Sequence, residues 1–380
     1  MRDDPIDPVP VPDVGVDDLT EAEKREFEQE RSELRDFVKS LSPDDLKSGN
    51  WFSKLIARGL VTYTQKATWQ YFQEKYQGVP ADAIVDQRIK MATRYAALSG
   101  GLTASAYTGA LAATIGTAGG ASGITIPAAL VTLTADLAFL TQLQLRLAYD
   151  ISVLYRLRID VNDPDDLWKL IRVAFTIKGG EVVGEGLLKV VPAALRIVIK
   201  RFYSGPILAA ARGLPYVGKF LLQRTVIKVA IPLVGIPLAV GINFYTTLIA
   251  GRHARGVFRN EARVIEIAER LCEQSKHPQL LMWVAWLVVT ADEKISDDEA
   301  VLMRNLMRLV RDQHDVVDEQ LAQLIDVDPA EVWRRVDAES GDLSDVVDAA
   351  SRVATVDGEA NSAEQRILLE LDDRCRRAQS

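Results

Sequence analysis

An all-α protein is what this sequence predicts, and three observations carry the prediction. Apolar side chains recur at helical spacing, as in Trp51, Leu55, Ile56, Leu60 and Tyr63, which puts them on one face of a helix. Ser or Thr followed three residues later by an acidic residue recurs ahead of such runs, the arrangement that opens a helix with a capping box. A stretch near the carboxyl end repeats at a spacing of 65 residues, each copy reading as helix, short loop, helix. At 380 residues the chain is too long for one ordinary core, so two or three domains are expected.

Residues 1–19 alternate Asp, Pro and Val and lack the positive and apolar regions of a signal peptide. An acidic, Pro-rich, disordered tail is the expectation. Thr20-Glu21-Ala22-Glu23 is a capping box and starts a charged helix to about Leu41. Ser42-Pro43-Asp44-Asp45 is a second start signal, and a helix or two follow from Trp51 to Tyr76 until Gly78-Val79-Pro80 breaks the pattern. A third helix covers roughly Ala81 to Leu98.

Tyr95 to Ala135 is a run of 41 residues without a charge, rich in Ala, Gly and Thr. The spacings Gly116/Gly120, Gly119/Gly123 and Ser105/Gly109/Ala113 put small side chains on one face, where another helix can approach closely. Gly119-Gly120-Ala121-Ser122-Gly123 followed by Pro127 favours a helical hairpin over one long helix. A second uncharged run of 23 residues, Val229 to Gly251, holds Pro232, Gly235, Pro237 and Gly241, which suits a hairpin dipping into one leaflet. Buried core and membrane contact both fit these runs. Between them, Ala135 to Arg156 reads as a helix whose face Gln142, Arg146 and Asp150 is solvated, with Arg146 and Asp150 paired across a turn. Asp136 ends the uncharged run, either as a buried polar residue or as a carboxylate favouring a helix amino terminus.

The charge is segregated. Residues 1–50 carry 7 basic and 15 acidic side chains, 51–260 carry 24 and 11, and 261–380 carry 14 and 27, giving -8, +13 and -13, which sum to the chain's -8. Mean hydropathy of +0.02 excludes a chain that is mostly membrane-spanning or mostly disordered. Two cysteines, Cys272 and Cys375, are too few for a disulfide framework, and three histidines make a multi-ligand zinc site dependent on carboxylates. The chain reads as intracellular.

Within the basic middle, Gly109-Ala110-Leu111 through Gly119-Gly120, then Thr134-Ala135-Asp136-Leu137, Gln142-Leu143-Gln144-Leu145-Arg146-Leu147 and Ile151 to Tyr155, resemble the EcsC family. Ile231-Pro232-Leu233-Val234-Gly235, Gly241-Ile242-Asn243, Thr247 and Gly251-Arg252 extend the resemblance, which covers roughly Ser53 to Arg259. Thr134 stands where the family has proline and Arg156 where it has a closing glycine. The resemblance implies a membrane-associated helical domain and carries no catalytic residues. Asp136, Arg146 and Asn243 are its buried polar candidates.

At the acidic end, the segment from Thr290 to Glu299 aligns with that from Thr355 to Glu364. Ser296 with Glu299, and Asn361 with Glu364, read as capping boxes. Capping leaves Asp292 and Asp357 unexplained, since a carboxylate at a helix carboxyl end is disfavoured. Hydrogen bonds to amides of the next helix, a cation, or a basic partner would each offset that. EF-hand calcium binding is excluded, because Lys294 and Ser296 occupy its third and fifth positions and Met303 and Leu368 its twelfth. The repeat resembles the TerB-like family, a helical domain associated with tellurite resistance and found in DjlA-type co-chaperones. Its Ala-Asp-Gly-x-Ile/Val-Ser and Glu signature matches Ala291 to Ser296 with Glu299, and Val356 to Asn361 with Glu364, over roughly Ala262 to Arg377. The first copy lacks the glycine. The resemblance implies an interaction or metal-sensing module of a stress response, with Asp292, Glu299, Asp357, Glu359 and Glu364 as candidate ligands of a divalent metal.

Catalytic motifs are near misses. Gly213 to Phe220 fits the phosphate-binding loop spacing but ends in Phe220, where magnesium binding needs Ser or Thr. Gly184-Glu185-Gly186 lacks the third glycine of a dinucleotide fingerprint. Cys272 and His277 have no evident orienting third group and read as ordinary helix positions. The expectation is a non-enzymatic adaptor or sensor, with a tail over 1–19, an EcsC-like domain over 20–260 and a TerB-like domain over 261–380. It would be cytoplasmic and held at the inner face of the cell membrane, with no nucleic-acid partner and no required cofactor. Lys219, Arg224, Lys228, Arg252, Arg255 and Arg259 would face anionic lipid at about 1 kcal/mol each, and the acidic domain would bind a protein partner or divalent cation. The competing readings are a soluble scaffold whose basic and acidic domains pair with each other, and a nucleotide-dependent enzyme.

Overall fold

The structure is a computed structural model that describes residues 20–116, 122–176, 235–292, 295–314 and 328–379. The protein is all-α, with no strand among the described residues. Those residues divide between Phe258 and Arg259 into two compact units. The expected tail over 1–19, the loop Gly213 to Phe220, Gly184 to Gly186, and Lys219, Arg224 and Lys228 lie outside the described residues.

The first unit opens with α1 (Glu21–Lys39), whose Phe27, Leu34, Phe37 and Val38 are buried while its other faces are charged. Phe27 sets this helix on the unit's core, with its ring 5.2 Å from that of Phe139 and 5.8 Å from that of Tyr95. α2 (Pro43–Ser48) starts as its sequence predicts: Ser42 Oγ accepts from the Asp45 amide at 3.1 Å, and Asp45 accepts from the Ser42 amide at 3.0 Å. After α3 (Asn50–Leu55) comes one wide π-helical turn, Ile56–Leu60, before α4 (Val61–Lys66) and α5 (Trp69–Lys75). Gly59 lies in that turn, where a Cβ would sit 2.9 Å from the end of the Gln142 side-chain amide.

The unit is organised by two long helices, α6 (Ala81–Gly116) and α7 (Ser122–Leu154), which pack side by side. Ser99 lies opposite Asp136, and Arg88 opposite Asp150, so the two run antiparallel. The expected hairpin is thus present, and residues 117–121 between its two helices lie outside the described residues. α6 continues well past Leu98, where the sequence pattern predicted its end. Gly100 and Gly101 are tolerated inside it, the latter because Val240 approaches to 3.3 Å of where its Cβ would be. α8 (Pro164–Ala174) is capped by Asp163, which accepts from the amides of Asp165 and Asp166 at 2.9 and 3.1 Å.

α9 (Gly235–Gln274) holds the described part of the second uncharged run and continues beyond it. The hairpin expected there is replaced, from Gly235 on, by one unbroken helix. Pro237 falls in the first turn, where a missing N–H leaves no intrahelical bond unmade. α9 lies along α6 and α7 in a fixed register: Asn243 meets Asp136, Thr247 meets Gln144, and Gly251 fits against Ile89 and Leu147.

The second unit is built round α10 (Pro278–Val289), in which every residue from Leu280 to Val289 is buried. A helix apolar on all sides must be enclosed on all sides. Enclosing it are the end of α9 (Val264, Ala268, Leu271, Cys272), α11 (Asp297–His314), α12 (Pro329–Ala338), α13 (Ser344–Ala354) and α14 (Ser362–Gln379).

Candidate functional site

The first unit carries a polar seam along α7. The expectation that Gln142, Arg146 and Asp150 form a solvated face is corrected: Asp150 is fully buried, Gln142 is buried and Arg146 is half-buried. Arg146 and Asp150 do not pair with each other. Asp150 Oδ1 accepts from the Tyr63 hydroxyl at 2.7 Å, and Oδ2 accepts from Arg88 Nε at 2.9 Å and from Arg88 Nη2. Burial alone would lower the Arg88 pKa, but the Asp150 charge overcomes it and holds the guanidinium above its usual range. The Tyr63 phenol is pushed well up by burial and then by Asp150, so it stays a donor.

One turn earlier, Arg146 pairs with Glu30 of α1, and its guanidinium lies 4.7 Å from the centre of the Tyr63 ring. The Gln142 amide sits beside them, its oxygen placed to accept from Arg146 Nε at 3.2 Å. Farther along the seam, Asp136 accepts from the Ser99 hydroxyl and from Asn243 Nδ2 at 3.5 Å. The proposed amino-terminal role for Asp136 is corrected, because it lies well inside α7. Gln144 Nε2 donates to Thr247, itself fully buried, at 3.3 Å. Asp136 and Asn243, 107 positions apart, are therefore direct neighbours, while Arg146 belongs to a separate cluster shared with α1.

Of the basic residues expected to face lipid, Arg255 is half-exposed and held by carboxylates of α6. It pairs with Asp86 at 2.6 Å and Asp82 at 3.7 Å. Tyr155 donates to the same Asp82 at 2.6 Å and is pushed up to about 12, by burial first and then by that carboxylate. Arg252 and Arg259 are exposed. The register of the three long helices also brings the two uncharged runs to one end of this unit. Past Gly101 and Val240, α6 continues for 15 residues, about 22 Å. No acidic or basic residue occurs there in α6, in α7 before Asp136, or in α9 before Arg252. Among the described residues no helix is long and apolar enough to cross a membrane.

In the second unit the two repeated turns are capped as their sequence predicts. The Ser296 amide donates to Glu299 at 2.7 Å and the Glu299 amide to Ser296 Oγ at 3.2 Å. The Asn361 amide donates to Glu364 at 2.7 Å, and Asn361 Oδ1 accepts from the amides of Ala363 and Glu364 at 2.8 and 3.1 Å. Glu299 and Glu364 are buried, and desolvation raises both carboxyls despite these bonds, with Asp357 adding to it. Asp292 accepts from the Asn361 side chain at 3.3 Å, a partner from the other copy. Asp357 and Glu359 are exposed. Among the described residues no three His, Cys, Asp or Glu side chains are grouped to hold a metal ion.

Sequence reasoning missed Tyr63, Arg88, Glu30 and Ser99, whose partners lie from 37 to 116 positions away. It also missed Asp345, whose Oδ1 lies 3.3 Å from His277 Nδ1 and whose Oδ2 accepts from the Lys276 amide at 2.7 Å. Cys272 is buried and its thiol pushed up by desolvation, as befits a core position. The chain matches no protein-family model, no curated protein and no solved structure.

Proposed function

We propose that this chain is a non-enzymatic, membrane-associated adaptor. The first unit addresses the inner face of the cell membrane through its uncharged end, and the second offers an acidic surface to a basic protein partner. What supports the reading is the meeting of the two uncharged runs, separated by residues 136–228 in sequence, at one end of the α6, α7 and α9 bundle. A water-facing helix end gains by carrying charge, and a row of three helix ends without any is the composition of a surface meant for lipid. Within the unit, Asp136 accepts hydrogen bonds from Ser99 and Asn243, and Arg146 is paired with Glu30. The resemblances to the EcsC and TerB-like families agree with both halves of the proposal.

Sedimentation with vesicles tests it. The full chain should pellet with phosphatidylcholine vesicles containing phosphatidylglycerol at low salt, and less with phosphatidylcholine alone. Protein left in the supernatant with the anionic vesicles overturns the reading.

A further inference from the structure

We propose that the outward face of α9, Tyr245 and Ile249 followed by Arg252, is the surface through which the first unit enters an anionic bilayer. This rests on the membrane reading above and adds to it a surface and a depth. The three residues follow at spacings of four and three, so they share one face of the helix. The opposite face, with Asn243, Thr247, Ala250, Ala254 and Phe258, is buried in the unit. Tyr245 is 50% and Ile249 58% exposed, among the largest exposures of apolar side chains in the first unit, and Leu102 of α6, next to the Gly101 and Val240 contact, is 43% exposed.

Order along the helix is what assigns the partner. From the uncharged end inward come an aromatic ring, an aliphatic side chain and then the first charge of the helix, Arg252. A helix face of exposed apolar side chains that ends in an unpaired cation suits a shallow seat, with the apolar part below the headgroups and the guanidinium at the phosphate layer. Arg252 is exposed, and among the described residues it has no carboxylate partner, whereas Arg255 one turn on is bound to Asp86 and Asp82. Ile89 packs on Gly251, which sets the exposed Lys90 of α6 at the level of Arg252 as a second cation for the same layer. The surrounding segment, 51–260, has a charge of +13 from 24 basic and 11 acidic residues, which favours an anionic leaflet over a neutral one.

The experiment compares full-length wild type with Ile249→Glu, Arg252→Glu and Ile249→Trp, and with Arg366→Glu, which makes the same change of net charge as Arg252→Glu at an exposed position in the second unit. Affinity is titrated on vesicles of phosphatidylcholine with and without phosphatidylglycerol, after circular dichroism has matched the variants to wild type. Ile249→Glu and Arg252→Glu should each weaken binding to anionic vesicles about tenfold. Ile249→Trp should tighten it several-fold, a gain that a misfolded variant could not give, and Arg366→Glu should leave it unchanged. Wild type that binds while Ile249→Glu and Arg252→Glu bind equally well overturns this surface and leaves the membrane reading standing. Wild type that fails to bind overturns both. Loss of a dimer in Ile249→Glu, seen by sedimentation equilibrium with vesicle affinity unchanged, assigns the face to a second copy and also overturns the proposal.

Discussion

Replacing Arg88 with methionine tests whether the polar seam holds the first unit together. Asp150 is fully buried and takes three hydrogen bonds, one from Tyr63 and two from Arg88. Without Arg88 a carboxylate stays in the core with only a phenol, a loss of about 3–5 kcal/mol. Tyr63→Phe removes a single bond to the charge and should cost about 1.5–3 kcal/mol. Removing both charges, as Arg88→Met with Asp150→Leu, should recover most of the loss, because no uncompensated charge then remains. The assay is urea unfolding followed by hydrogen exchange in peptides of α6 and α7, which reads this unit apart from the other, since two units need not unfold as one transition. An Arg88→Met loss under about 1 kcal/mol, or a double variant less stable than either single one, would refute the reasoning.

Two glycines of α9 should respond in opposite directions to alanine. At Gly256 nothing lies within 4 Å of an added Cβ, so Gly256→Ala should stabilise the first unit by about 0.5–1 kcal/mol. At Gly251 the new atom would be 3.0 Å from Ile89 and 3.1 Å from Leu147. Crowding of about 1–3 kcal/mol then outweighs the propensity gain, and equal shifts in thermal unfolding would disprove the close approach. The raised carboxyls of Glu299 and Glu364 bind protons more tightly folded than unfolded, so their contribution is most favourable below the ordinary value of 4.5 and is lost as pH rises through the folded values. Glu299→Gln with Glu364→Gln keeps both caps with an amide oxygen, and the variant's stability relative to wild type should grow as pH rises through that window. A pH-independent difference in denaturant midpoint contradicts it.

Local chemistry was legible in the chain and long-range pairing was not. The starts at Ser42, Ser296 and Asn361 depend on atoms three residues apart, so spacing alone specifies them. The break between α6 and α7 was likewise visible in its glycines. Arg88 and Asp150 are 62 positions apart, and helical period tells which residues share a face but not what covers it. That is why a seam of Gln142, Arg146 and Asp150 resembled a wet surface. Asp136 looked terminal because the run before it is uncharged, yet α7 has already run from Ser122 when it reaches that position. Pro237 looked like a breaker and sits instead at a helix start, where the same missing N–H does no harm.

The hydrogen bond between Asn361 and Asp292 makes the two repeated turns of the second unit unequal. A serine at 361 could cap its own helix as Ser296 does, but its single oxygen would have to serve both the cap and the tether. Asparagine caps with its oxygen and keeps an amide nitrogen for the neighbouring copy. One turn has become the giver of a tether and the other its receiver. Exchanging the two ten-residue segments, which carries Asp292 and Asn361 together, would preserve every local cap and reverse the direction of the tether, so the pair is a matched set, no longer two copies of one part.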